Sequence, residues 1–235
     1  MNGLRAITDF VLKLIYPPRC ISCGELLPIT EKLAICKDCE EDFSVWKVSS
    51  SATSALSMSN LTCSKVTDNA DSVVSAFYYD GNVKAVVLRY KQSRSSFAKA
   101  MAEQMYEALE ANGFGNELGY DAVICIPSSR RKMRKRGYNP AELLAKHISR
   151  LTEISYVKNA LKQKGKKSDQ KSLGAEERAA NIKGKFLPGK YDVSEKRILL
   201  VDDVITTGAT VNEAAGLLKA NGAGYVCVLS YARTL

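Results

Sequence analysis

The chain has 235 residues, of which 46% are apolar, 25% charged and 8% aromatic. That length supports one sizeable core with a small appended module, and the composition excludes a disordered chain and a collagen-like fibre. The net charge of +9 is unevenly placed: residues 1–70 hold 7 Lys/Arg against 8 Asp/Glu, and residues 71–235 hold 27 against 17. Much of the surplus lies in Arg130–Arg136 and in residues 158–171. Such clustering suits a polyanionic partner, either a diphosphate or a nucleic acid, and equally suits a solvated face that aids solubility.

Leu4, Ile7, Val11, Leu14 and Ile15 recur at helical spacing, so an amphipathic helix is predicted over residues 3–15, stopped by Pro17-Pro18. Its charges, Arg5, Asp9 and Lys13, do not form the basic face of a membrane-surface helix, so docking on its own protein is the expectation. They also interrupt the apolar run of a signal peptide, and no stretch has the length of a membrane span. A soluble, cytoplasmic protein is expected. Cys20-x2-Cys23 and Cys36-x2-Cys39 follow, twelve residues apart. Each pair forms a knuckle, and together they place four thiolates around one zinc; with four protein ligands the role is structural. Gly24 stands where such a knuckle needs positive φ. The seven cysteines are otherwise single, which fits a reducing compartment rather than a disulfide framework. Trp46 reads as a packing residue. Residues 49–64 contain seven serines and the lone Cys63, and read as a linker.

From Ser72 onward the pattern alternates between strand and helix. Strands are predicted at residues 73–79, 121–127, 198–201 and 224–229, and helices at 83–90, 97–109, 140–151 and 208–220. The runs Ala-Val-Ile-Cys-Ile at 122–126 and Ile-Leu-Leu-Val at 198–201 read as strands buried on both faces. This order predicts an α/β fold with a mainly parallel sheet flanked by helices. Residues 162–175, polar and rich in lysine, read as a long mobile loop. His147 falls on a helix beside Leu144 and Ile148 and reads as structural, while Cys125 and Cys227 act as small apolar side chains in strands. The division is residues 1–48 for the N-terminal helix and four-cysteine zinc module, 49–71 for the Ser-rich linker and 72–235 for the α/β domain.

The most informative stretch is Ile198-Leu199-Leu200-Val201-Asp202-Asp203-Val204-Ile205-Thr206-Thr207-Gly208-Ala209-Thr210. A buried strand delivers two carboxylates to the carboxyl edge of the sheet, where α/β folds bind ligands. The carboxylates suit ribose hydroxyls, directly or through magnesium. Thr206, Thr207, Gly208, Ala209 and Thr210 then offer hydroxyls and N–H groups at a helix start, a cradle for phosphate. Neither a Walker A loop nor a GxGxxG fingerprint occurs. After the strand ending near Ile126, Ser128-Ser129-Arg130 opens a stretch with six basic residues among the seven of Arg130–Arg136. At a sheet edge it would hold a diphosphate, with arginine making bidentate contacts; as a solvated turn it would hold nothing. Lys91 is a further candidate for the same anion.

The 198–210 stretch resembles the phosphoribosyl pyrophosphate motif of type I phosphoribosyltransferases. Further segments resemble the ComF branch of that superfamily: the Cys-x2-Cys pairs after Pro17-Pro18, Ile126-Pro127 through Arg136-Gly137-Tyr138-Asn139, Asp169-Gln170 through Arg178 and Asn181 to Phe186, and the terminal Arg233-Thr234-Leu235. One departure stands out, because a second pair of cysteine knuckles common in the branch is reduced here to Cys63. The resemblance implies a type I phosphoribosyltransferase-like domain that binds phosphoribosyl pyrophosphate with Mg²⁺. Asp202, Asp203 and Arg130 would serve catalysis. Ser128 and Ser129 would form the pyrophosphate loop, with Arg134, Arg136 and Asn139 flanking it and Arg178 on a closing loop. It also implies a role in competence and DNA uptake, with single-stranded DNA and a DNA-uptake helicase as partners. Two functions stay open at this stage: pentosyl transfer to an unidentified acceptor, and a non-enzymatic phosphoribose sensor or single-stranded-DNA-binding accessory.

Overall fold

A computed structural model describes residues 17, 19–28, 35–45, 47–48, 67–92, 97–115, 119–164 and 184–234. The predicted helix over 3–15, the Ser-rich linker up to residue 66, Trp46, Cys63 and the Lys-rich residues 165–183, with Gln170, Arg178 and Asn181, lie outside the described residues.

The described elements are α1 (Lys37–Val45), β1 (Ser72–Tyr78), α2 (Gly81–Lys91), α3 (Ala98–Ala111), β2 (Ala122–Cys125), α4 (Arg130–Arg136), α5 (Pro140–Thr152), β3 (Leu161–Gln163), β4 (Phe186–Pro188), β5 (Arg197–Ile205), α6 (Ala209–Ala220) and β6 (Tyr225–Arg233). Four strands form one sheet in the order β1-β6-β5-β2, and every pair in it is parallel. The near-continuous apolar runs of β5 and β6 follow from this placement, because side chains alternate between two covered faces. Leu199, Val201, Leu229 and Tyr231 pack with α2, α3, α5 and the cysteine-bearing segment. Ile198, Leu200, Val226 and Val228 pack with α6 and with Leu161 and Phe186 of a short antiparallel β3–β4 hairpin.

The cysteine-bearing segment shares the first of these layers. Cys20, Ile21, Cys39 and Phe43 are buried in the same cluster as Val74, Phe77 and Tyr231. Phe43 meets Phe77 edge-on at 5.2 Å, and Phe77 meets Tyr231 at the same centroid distance. Beyond α1 the chain runs alongside β1, where Val48 N–H donates to the Ala76 carbonyl at 3.1 Å. At the opposite side of the sheet Val123 N–H donates to the Ser155 carbonyl and Val157 N–H to the Val123 carbonyl, at 3.0 and 2.9 Å.

Three features differ from the sequence expectation. Strand β5 does not stop at Val201 but runs through Asp202 and Asp203 to Ile205, because β6 continues beside it and pairs Asp202 with Ser230, Val204 with Ala232 and Ile205 with Arg233. The basic stretch is helix α4 rather than a turn. Ser129 caps it by accepting the Lys132 N–H at 3.3 Å, and Gly137 closes it in a left-handed conformation with φ of 80°. The expected loop from 162 begins instead as strand β3, paired with β4 at Lys162–Leu187 and Gln163–Phe186.

Candidate functional site

The carboxyl end of the sheet opens into a cavity of about 450 Å³. Its floor is the end of β5. Asp202 and Asp203 are adjacent on a strand, so their side chains depart toward opposite faces, and both still reach the cavity because it lies across the strand's end. Asp202 is 8% exposed, and burial, reinforced by the neighbouring Asp203 charge, pushes its carboxyl well above the usual range. Asp203 is held differently: Lys91 at the end of α2 places its Nζ 2.9 Å from a carboxylate oxygen. Each aspartate also accepts the N–H of the next residue, at 2.8 and 3.0 Å, which fixes its rotamer.

Beyond β5 the chain turns through Thr206 and Thr207 into α6. Gly208 takes φ of 74° as the cap of that helix and is buried, a combination that favours a residue without Cβ. The turn is anchored from β6, since Thr234 Oγ1 donates to the Thr206 carbonyl at 2.7 Å and Thr234 N–H to the Ile205 carbonyl at 2.9 Å. Exposed Thr206 and Thr207 therefore line the cavity from a fixed backbone at the positive end of a 12-residue helix.

The opposite wall comes from the loop after β2. Buried Asn139 organises it: its side-chain N–H donates to the Ile126 carbonyl at 2.9 Å, and its carbonyl oxygen accepts the Ser128 hydroxyl at 2.8 Å. Asn139→Ala leaves the Ile126 carbonyl without that donor, and we expect a loss of about 1–3 kcal/mol, read as a lower urea midpoint at an unchanged slope. An unaltered midpoint would show that the loop holds itself.

Lys91, Ser128, Ser129, Arg136, Asp202, Asp203, Thr206, Thr207, Gly208 and Thr210 all line this one cavity. Arg130 and Arg134 do not; they lie exposed on α4. Ala209 opens α6 without lining the cavity, and Arg178 lies outside the described residues. The cavity also takes in Tyr79, Lys132, Gln163 and Lys185, which the sequence did not single out. Lys132 belonged to a recognised basic run, but which cation of a run faces inward depends on the rotation of its helix. Lys185 is placed by Glu213, whose carboxylate accepts the N–H groups of Lys185 and Phe186. That contact joins residues 28 apart and left no local signal.

A second cluster lies away from the cleft. The sulfurs of Cys20, Cys23, Cys36 and Cys39 all lie within 4.8 Å of one another, and Cys23 Sγ is 3.7 Å from Cys36 Sγ. Tetrahedral zinc–thiolate bonds of about 2.3 Å require sulfur separations near 3.8 Å, so the residues fit the ion. Gly24 adopts the predicted positive φ, at 85°, and its N–H donates to the Cys20 carbonyl at 2.9 Å. Burial and the crowding of the other sulfurs push the Cys39 thiol up to about 12. Four thiolates this close need a cation to coexist, which is what zinc supplies when bound.

A parallel sheet whose strand β5 carries an Asp-Asp pair and leads into a Thr-Thr-Gly turn defines a class, and the chain belongs to the phosphoribosyl transferase domain family, which matches residues 94–232. The double zinc ribbon domain family matches residues 11–54, a span holding four of the cysteines. The pairing of these two parts is that of the ComF branch, and the similar proteins agree. Competence protein F of Haemophilus influenzae is 29% identical over 222 residues, covering 92% of this chain and 96% of that protein. Competence protein ComFC of Bacillus subtilis is 26% identical over 212 residues, 90% of this chain and 75% of that protein. DNA utilization protein YhgH of Escherichia coli (strain K12) is 34% identical over 143 residues, 60% of this chain and 63% of that protein. No described helix is long and apolar enough to cross a membrane.

Proposed function

We propose that the cleft binds phosphoribosyl pyrophosphate with Mg²⁺. The observation carrying this reading is that an acidic pair, a hydroxyl-rich turn at a helix start and four cations, Lys91, Lys132, Arg136 and Lys185, share one cavity. Asp202 and Asp203 would take the ribose hydroxyls and receive the Mg²⁺ that accompanies the ligand. The residues 206–210 would hold the 5′-phosphate on backbone N–H groups and threonine hydroxyls. Ser128, Lys132 and Arg136 would face the diphosphate. Bound Mg²⁺ would neutralise charge building on the departing diphosphate. The reaction such a site supports is displacement of diphosphate from C1 of the ribose by a nitrogen nucleophile or by water. The leaving group is good and the transition state cation-like, so the protein contributes placement and charge more than proton transfer. A screen for pyrophosphate release across nucleobases, amines and water tests it. Turnover with any acceptor supports a transferase or hydrolase, saturable binding without turnover supports a sensor, and absence of binding removes the reading.

One observation favours a second reading. Arg130, Arg131, Arg134 and Lys135 are exposed on α4 and do not line the cavity, and the similar proteins are named for competence and DNA utilization. A single-stranded DNA would meet this face chiefly through its phosphates. Replacing Arg130, Arg131 and Arg134 by Ala is then expected to reduce the slope of log affinity against log salt by about two. An unchanged slope would take α4 out of any DNA contact.

A further inference from the structure

Three consecutive residues at the end of α2 reach three separate parts of the molecule. Arg89 Nη1 donates to the Ser22 carbonyl and lies 3.5 Å from the Ile21 carbonyl, inside the knuckle between Cys20 and Cys23. Tyr90, fully buried, donates its hydroxyl to the Pro140 carbonyl at 2.7 Å, and its own carbonyl accepts the Tyr138 hydroxyl. Lys91 pairs with Asp203 at 2.9 Å. A helix turns by about 100° per residue, so neighbours on its last turn point into different surroundings. Here those surroundings are the four-cysteine knuckle, Tyr138 and Pro140 at the start of α5, and the acidic pair of the cleft.

We propose that Arg89 is a positioning residue that couples the four-cysteine site to the cleft. When the four sulfurs are drawn onto one ion, the short turn between Cys20 and Cys23 is held tightly, and its two carbonyls present a fixed acceptor to the guanidinium. Arg89 thereby steadies the last turn of α2, whose final carbonyls have no partners within the helix. Lys91, two residues on, is kept against Asp203, where it offsets that carboxylate's charge and adds a cation to the anion site. Without the ion the turn relaxes, Arg89 loses its acceptors and Lys91 is freed from Asp203. The ligand part of this inference rests on the phosphoribosyl pyrophosphate reading; the link between the knuckle and Asp203 does not.

The test uses the full chain, zinc-loaded and zinc-stripped, as wild type, Arg89→Ala and Arg89→Lys. Amide hydrogen exchange over residues 87–92 and 202–206 reads the link without any ligand. Stripping is expected to speed exchange in both segments of the wild type beyond the general loosening read over residues 226–229, to add no such excess in Arg89→Ala, and to have a partial effect in Arg89→Lys. Calorimetric titration with phosphoribosyl pyrophosphate and Mg²⁺ reads the ligand. Stripping should weaken wild-type binding by about fivefold or more, and most of the zinc-dependent difference should be lost in Arg89→Ala. By reciprocity the ligand should slow zinc loss to a chelator in the wild type and not in Arg89→Ala. If exchange over 202–206 ignores zinc in the wild type, or Arg89→Ala keeps the full zinc effect, the coupling is overturned. If zinc-loaded wild type binds no phosphoribosyl pyrophosphate while exchange responds as expected, the coupling stands and the ligand assignment fails.

Discussion

Replacing Asp202 and Asp203 together by Asn is expected to weaken binding of phosphoribosyl pyrophosphate with Mg²⁺ by about a hundredfold or more. Each charged hydrogen bond to a ribose hydroxyl is worth about 1.5–3 kcal/mol, and every 1.4 kcal/mol is about tenfold in affinity. The fold should survive. Asp202 sits inside the strand at 8% exposure, so its ionised form is a burden on the empty protein, and Asn removes that burden. Asp203→Asn acts in the other direction by leaving Lys91 without its carboxylate, at about 1 kcal/mol or less for a partly exposed pair. The two effects oppose, so the double mutant should melt close to wild type. Its pH dependence should differ. Burial first, then the Asp203 charge, raises the Asp202 carboxyl above its unfolded value. The stability this group contributes is therefore fully present below the unfolded pKa of about 3.9 and is lost as pH rises through the folded value. Asp202→Asn alone should flatten that decline, gaining most on wild type near neutrality. Calorimetric titration with melting curves at several pH values separates the outcomes. Binding like wild type would refute the phosphoribosyl assignment, and outright unfolding would make the acidic pair structural.

Removing metal from Cys20, Cys23, Cys36 and Cys39 should have the largest effect on stability. One zinc per chain is expected in protein purified without added metal. A structural zinc contributes on the order of 10 kcal/mol of folding free energy in small modules. The loss should not stay local, because Cys20, Ile21, Cys39 and Phe43 are buried with Phe77 and Tyr231 of the sheet. Cys36→Ser should therefore lower the melting temperature and raise exposure of apolar surface, while the sheet, which keeps its second core against α6, stays folded at room temperature. Metal analysis yielding no zinc, or a Cys20–Cys39 disulfide, would sink the assignment.

What was legible in the sequence depended on whether the cause was local. The two Cys-x2-Cys pairs, the apolar runs of β2 and β5 and the small-residue turn before α6 each carry their own signal. The fold class and the family followed from them. The end of β5 did not, because Asp202 and Asp203 look like the exit from a strand; the ladder to β6 that carries the strand on to Ile205 comes from residues about 28 positions away. Helix α4 was hidden for a different reason. It buries no residue, so no apolar periodicity marks it, and its caps, Ser129 and Gly137, hold it instead. Lys185 joins the cleft through Glu213 on α6 and through Lys164, both distant in sequence. Most of the residues that line the cleft were thus readable as a list, while the choice of which cations line it belongs to tertiary packing.

Neither outer strand of the sheet is left bare. Lys47 and Val48 lie along β1, and residues 155–157 lie along β2. Unpaired strand borders are templates for pairing with another chain, and proteins suppress this by covering them. The N-terminal segment thus covers the β1 border whatever its metal or ligand does, and we expect that cover to limit self-association. A chain shortened to residues 72–235 would bare the β1 border and uncover the apolar face of Phe77 together. It should form higher-order species at concentrations where the full chain stays dispersed, even if its cleft is intact.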